Sequence, residues 1–93
     1  MKKIIILIPV FNDWESLKKL ILEINENISS FQDINFECLV VNDASTINQP
    51  SLIKPSNIKS LEILNMLENR GHARCNAFGL RYVFQKKDFD YLI

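Results

Sequence analysis

Three short segments hold the side chains whose chemistry is not used up by folding: Pro9-Val10-Phe11-Asn12-Asp13, Asn42-Asp43-Ala44-Ser45-Thr46 and Asn69-Arg70-Gly71-His72-Ala73-Arg74. The carboxylates of Asp13 and Asp43 are charged acceptors, and hydrogen bonds to a charged acceptor are short and strong. Phe11 offers a flat apolar ring, and Pro9 fixes the backbone in front of it. Arg74 carries a planar guanidinium fork that suits anionic oxygens, in the first turn of an expected helix where backbone N–H groups also favour anions. Each residue has a plainer alternative. Phe11 could be a core aromatic, Asp43 a turn or cap residue, Asp13 a helix cap and Arg74 a solvated helix residue. His72 has no histidine or cysteine partner nearby and reads as a helix-start or packing residue.

The elements that must position these residues are legible from pattern. Two near-continuous Ile/Leu/Val runs, Lys3–Ile8 and Phe36–Val41, have the composition of strands buried on both faces. Each ends abruptly in one of the polar segments. If the two strands are parallel, those segments meet at the carboxyl edge of the sheet, where open α/β sheets bind ligands. Trp14, Leu17, Leu20, Ile21, Ile24 and Ile28 recur at helical spacing, which predicts an amphipathic helix from Asp13 to about Asn27. Asn12 with Glu15 resembles a capping box at its start. The stretch 44–57 reads as loop with one short helical turn around Ser51.

Leu61, Ile63 and Met66 mark a third strand. Asn69-Arg70-Gly71 breaks it, and a second helix is expected from His72 to Lys86 with Ala73, Ala77, Leu80 and Phe84 as its inner stripe. Asp90–Ile93 begins a fourth strand. The order β-α-β-(α)-β-α-β with right-handed crossovers is that of a doubly wound, mostly parallel α/β sheet, Rossmann-like in class.

Composition narrows the function classes. The chain has 93 residues, enough for one domain, and is 47% hydrophobic and 24% charged, as ordinary globular proteins are. Lys plus Arg equals Asp plus Glu at eleven each, so no global field recruits nucleic acid or anionic lipid. No apolar run approaches a membrane span, and no small-residue cleavage site follows the apolar N-terminus. The expected location is cytoplasmic. Cys38 and Cys75 lack metal-ligand spacing and read as reduced, buried thiols. The segment after the first strand contains no G-x-G-x-x-G, and the chain has no G-x-x-x-x-G-K-[ST], so a cradle of bare backbone amides at the first turn is not expected.

The segments Ile-Pro-Val-Phe-Asn-Asp, Val-Val-Asn-Asp-Ala-Ser-Thr and Asn-Arg-Gly-His-Ala-Arg-Cys-Asn-Ala-Phe-Gly-Leu stand in the order and spacing of a known family. Together they resemble the N-terminal nucleotide-binding half of the family 2 glycosyltransferases, which have the GT-A fold. The resemblance covers nearly the whole chain. Asn-Asp-Trp-Glu-Ser and Arg-Gly-His look closest to the branch that includes polyprenyl-phosphate sugar synthases.

The resemblance implies a nucleoside-diphosphate sugar as donor, with Pro9, Val10, Phe11, Asp13, Asp43 and Arg74 as nucleotide-binding residues. In that reading Phe11 lies beside the base, Asp43 accepts a base imide N–H and Arg74 forks onto the diphosphate. The acceptor would be a polyprenyl phosphate or a growing glycan. Mg²⁺ or Mn²⁺ is expected in the complete enzyme. The family's Asp-x-Asp metal motif, catalytic base and acceptor region lie beyond the fourth strand, so residues 1–93 read as an incomplete, inactive part of such a domain. They contribute no catalytic residue and no metal ligand, and any membrane attachment would lie downstream. Many members carry two acidic residues after strand two, whereas Asn42 precedes Asp43 here. The alternatives to an enzyme are a non-catalytic nucleotide-binding or interaction module and an inactive gene fragment.

Overall fold

The computed structural model describes residues 1–69 and 71–93; Arg70 and the side chain of His72, with the packing role expected for it, lie outside the described part. Among the described residues four strands and two helices follow one another as β1 (Lys2–Val10), α1 (Trp14–Asn27), β2 (Ile34–Asn42), β3 (Ser60–Asn65), α2 (His72–Lys86) and β4 (Tyr91–Leu92). All strand pairings are parallel, in the order β3-β2-β1-β4. The α/β class, the parallel sheet and the two main helices are as the pattern predicts. The helical turn expected around Ser51 is not formed, and residues 43–59 carry no helix.

Alternation along β1 and β2 explains their near-continuous apolar runs. Ile8, Val10, Phe36, Cys38 and Val40 pack toward α1 with Trp14, Leu17, Ile21 and Ile28. Ile5 and Leu39 turn to the opposite face and meet Val83 of α2, with Leu7, Leu64 and Tyr82 around them. Both faces are covered, so both parities are mainly apolar, and the one charge within the β2 run, Glu37, pairs with Lys3 at 3.1 Å near the start of the strands. Cys38 and Cys75 are buried and unpaired, and burial pushes both thiols up to about 11, which keeps them protonated.

Strand β1 extends two residues further than expected. Pro9 and Val10, expected in the turn, are the last residues of the strand and pair with Val41 and Asn42. The reason is the parity of the ladder. Leu7 N–H donates to Ile93 O, and Lys3 and Ile5 carbonyls accept from Asp90 and Ile93, so the odd residues of β1 face β4. Pro9 shares that parity, and its missing N–H leaves the bonds to β2 whole.

Helix α2 is turned relative to expectation. Its buried residues are Cys75, Gly79 and Val83, while Ala73, Ala77, Leu80 and Phe84 face outward, Phe84 being 71% exposed. Gly79 decides the orientation: a Cβ there would lie 2.6 Å from Leu7 Cδ1 and 2.8 Å from Val41 Cγ2. Only the face without a side chain at that position lets the helix come this close to the sheet.

β2 and β3 lie on one side of β1 and β4 on the other, so the direction of winding reverses at β1. A crevice opens outside the carboxyl ends of the strands at such a reversal. The residues that follow β1 and β2 stand at that crevice.

Candidate functional site

The loop after β1 is built around Asn12, whose backbone is left-handed at φ 63°. Asparagine tolerates this region better than most side chains because its short amide bonds locally. Here its Oδ1 accepts the N–H groups of Thr46 and Ile47 at 2.7 and 2.9 Å, which ties the loop to the segment after β2. Trp14 Nε1 adds a donated bond to the Ile47 carbonyl at 3.1 Å. Asn12 is therefore not the helix cap. Asp13 fills that position, its Oδ1 accepting the Ser16 N–H at 3.2 Å. The bonds from Ser16 hold the exposed Asp13 carboxyl below the usual carboxylate range.

Pro9, Val10, Phe11 and Asp13 line one concavity of about 360 Å³ together with Ser16, Leu17 and Leu20. Phe11 is 39% exposed and so presents part of its ring, whereas Val10 is 4% exposed and supports the floor from the α1-side core. Arg74 is exposed on α2 and lines a second, larger cleft of about 660 Å³, with Asn65, Met66, Glu68, Phe78 and Arg81. Four of the six expected residues thus share one concavity, and Arg74 opens onto another.

Asp43 connects the two halves. Its N–H donates to the Val10 carbonyl at 2.9 Å, and its Oδ2 accepts the N–H of Gly71 at 2.9 Å, at the start of α2. Asn69 Nδ2 donates to its carbonyl oxygen at 3.2 Å. Asp43 is only 3% exposed, so it is not the loosely packed edge residue that its place after a strand suggests. Gly71 meets it with φ 82°, a backbone shape that favours glycine. Asn42 before it donates from Nδ2 to Asn65 Oδ1 at 2.9 Å, joining the tips of β2 and β3.

Asn12, Asn42, Asn65 and Gly71 were not singled out from sequence as site residues. The available signal was the concentration of Asn, Ser and Thr directly after two buried strands, since such side chains commonly cap and staple turns.

A family model for glycosyl transferase family 2 matches residues 5–93. The chain belongs to that family. No curated protein and no solved structure matches it. The parallel sheet with helices on both faces is the GT-A type of α/β fold expected of a family 2 glycosyltransferase. Enzymes of this family commonly use divalent metals. Among the described residues, no three of His, Cys, Asp and Glu stand close enough to hold a metal ion. Those residues do not fit a metal site. No helix among the described residues is long and apolar enough to cross a membrane.

Proposed function

We propose that residues 1–93 form the N-terminal, donor-binding part of a glycosyltransferase domain and hold a nucleoside-diphosphate sugar at the carboxyl edge of β1 and β2. The donor's base lies in the Phe11 concavity, flanked by Asp13. Asp43 accepts an imide N–H, as present in uracil and guanine, sharing its carboxylate with Gly71; a carboxylate has two oxygens and about four lone-pair sites for such bonds. Arg74 forks onto the diphosphate beside the first turn of α2. The transfer replaces the bond between the sugar's anomeric carbon and the diphosphate oxygen with one to an acceptor oxygen, whose proton passes to a base outside these residues. The acceptor class is a polyprenyl phosphate or a growing glycan, at the cytoplasmic face.

The observation that supports this reading is the juncture of the Phe11–Asp13 loop with the Asp43 strand tip, where the winding of the sheet reverses. A partly exposed aromatic after β1, a carboxylate at the neighbouring strand tip and a guanidinium in the first turn of α2 suit a planar base carrying phosphates better than they suit a bare sugar. Calorimetric titration with UDP, GDP and ADP tests it. UDP or GDP should bind, with ADP weaker because adenine lacks the imide N–H. Phe11→Ala should weaken binding by about 1–3 kcal/mol, the usual worth of a base stacked on a ring. Equal affinity for all three nucleotides, or no effect of Phe11→Ala, would refute the assignment.

A further inference from the structure

Ser45 takes no part in the contacts assigned above, yet it joins the two loops that carry them. Its Oγ accepts the backbone N–H of Asn12 at 2.9 Å and donates to Asn42 Oδ1 at 2.5 Å. Its own N–H donates to the same Oδ1 at 3.0 Å. Asn12 stands between Phe11 and Asp13, and Asn42 directly precedes Asp43. With the bond from Asn42 to Asn65, one hydroxyl closes a polar path Asn65–Asn42–Ser45–Asn12 across the tips of three neighbouring strands.

We propose that Ser45 is a positioning residue whose hydroxyl sets the spacing between the Phe11 ring and the Asp43 carboxylate, and thereby how selectively the site reads a base. This deepens the function proposed above and rests on it. A ring and a carboxylate on separate loops can act on one planar base only if their separation is fixed, because a base that stacks well must also present its N–H in line. The chain after β1 is held to the segment after β2 at three points: the Asn12 side chain on Thr46 and Ile47, the Trp14 indole on the Ile47 carbonyl, and the Asn12 backbone on Ser45. A non-glycine residue at φ 63° stays there only while its surroundings hold it. Removing the Ser45 hydroxyl deletes the backbone tie and leaves the side-chain ties intact. The turn survives, and the Phe11 ring gains freedom relative to Asp43.

The test uses the full chain as wild type, Ser45→Ala and Ser45→Thr, each with and without Phe11→Ala. Affinity for UDP, GDP and ADP is read by calorimetry, and hydrogen exchange at the Asn12 amide by NMR. Loss of one hydrogen-bonded tie predicts that Ser45→Ala weakens the preferred nucleotide about fivefold to twentyfold. The preference for that nucleotide over ADP should fall toward one, the Asn12 amide should exchange faster, and Ser45→Thr should restore all three.

In the Ser45→Ala background, Phe11→Ala should cost clearly less than in wild type, because a ring no longer held in register contributes less. A merely structural serine would lower stability and leave the nucleotide ratio and the cost of Phe11→Ala unchanged, and that result overturns the proposal. If Ser45→Ala does not fold, Ser45→Cys, with a weaker donor and acceptor of similar size, carries the same comparison. Wild type that binds neither UDP nor GDP defeats the base-reading site and this proposal with it. Binding that is indifferent to Ser45 defeats this proposal alone.

Discussion

Replacing Asp43 with alanine should cost stability as well as ligand affinity, and the structure sets the size of the first effect. The carboxylate is 3% exposed and accepts the Gly71 N–H at 2.9 Å, across 28 positions of sequence, at the point where α2 begins. A hydrogen bond to a charged group contributes about 1.5–3 kcal/mol to stability. Gly71 itself is exposed, so water can reach its freed N–H and the loss should fall near the middle of that range, about 2 kcal/mol. In a domain of this size each kcal/mol moves the melting temperature by about 4–8 °C, which predicts a fall of about 8–16 °C. Asp43→Asn keeps an acceptor of the same shape without the charge and should lose roughly half as much, since charge-assisted bonds are about twice as strong as neutral ones. Thermal melts followed by circular dichroism measure both, with the exposed Asp33→Ala as control, where a surface change should stay within about 0.5 kcal/mol. If Asp43→Ala melts with the control, the Gly71 bond does not hold α2 in place. If the Asn and Ala variants melt together, the charge has no part in it.

The orientation of α2 is tested by pairing Val83→Ala with Leu80→Ala. The buried valine should cost about 2 kcal/mol in denaturant unfolding and the outward leucine well under 1 kcal/mol, and the reverse order would return the helix to the orientation expected from sequence. Gly79→Val should cost about 1–3 kcal/mol by overpacking against Leu7 and Val41, and a neutral result would mean that the helix stands off the sheet. At the other end of the sheet, Glu62 accepts from Tyr82 Oη at 2.7 Å and Lys87 Nζ at 2.9 Å. Burial raises the Glu62 carboxyl, but these bonds prevail and hold it below its usual range, while the bond to Glu62 lifts both Tyr82 and Lys87 above theirs. The carboxylate's contribution is then present above about pH 4.3 and lost as the pH falls through its lowered folded value, and those of Tyr82 and Lys87 are present below about pH 10 and lost as the pH rises through their raised ones. Glu62→Gln should flatten the stability profile at both ends in denaturant titrations stepped across pH, and an unchanged profile would dismiss the cluster.

The strands β1 and β2 could be read from sequence because burial on both faces leaves a near-continuous apolar run, a signal that needs no knowledge of what covers it. Helix α2 was legible in extent but not in orientation. Ala73, Ala77, Leu80 and Phe84 repeat at helical spacing, and so do Cys75, Gly79 and Val83. Periodicity reports that a stripe exists; which of two stripes is buried depends on a close approach to Leu7 and Val41 that only the folded sheet defines. Pro9 reads as a turn residue because its ring fixes the backbone, but its missing N–H lies on the β4 side and leaves the ladder to β2 whole. The grouping of Phe11, Asp13 and Asp43 at one edge followed from the order of elements. The burial of Asp43 did not, because it comes from a bond to a glycine in a distant segment, and the role of Asn12 was displaced by one residue because Asp13 can cap the same helix.

Every contact proposed for the donor requires a nucleotide at the carboxyl edge formed by the loops after β1 and β2. Titrating the isotope-labelled chain with UDP and GDP while following its amide NMR resonances tests this most directly. Bound nucleotide should produce saturable shifts concentrated at Val10–Asp13, at Asp43–Ser45 and at the start of α2, with the Lys87 end of the molecule unmoved. Shifts confined to other surfaces, or none up to millimolar nucleotide, would contradict it.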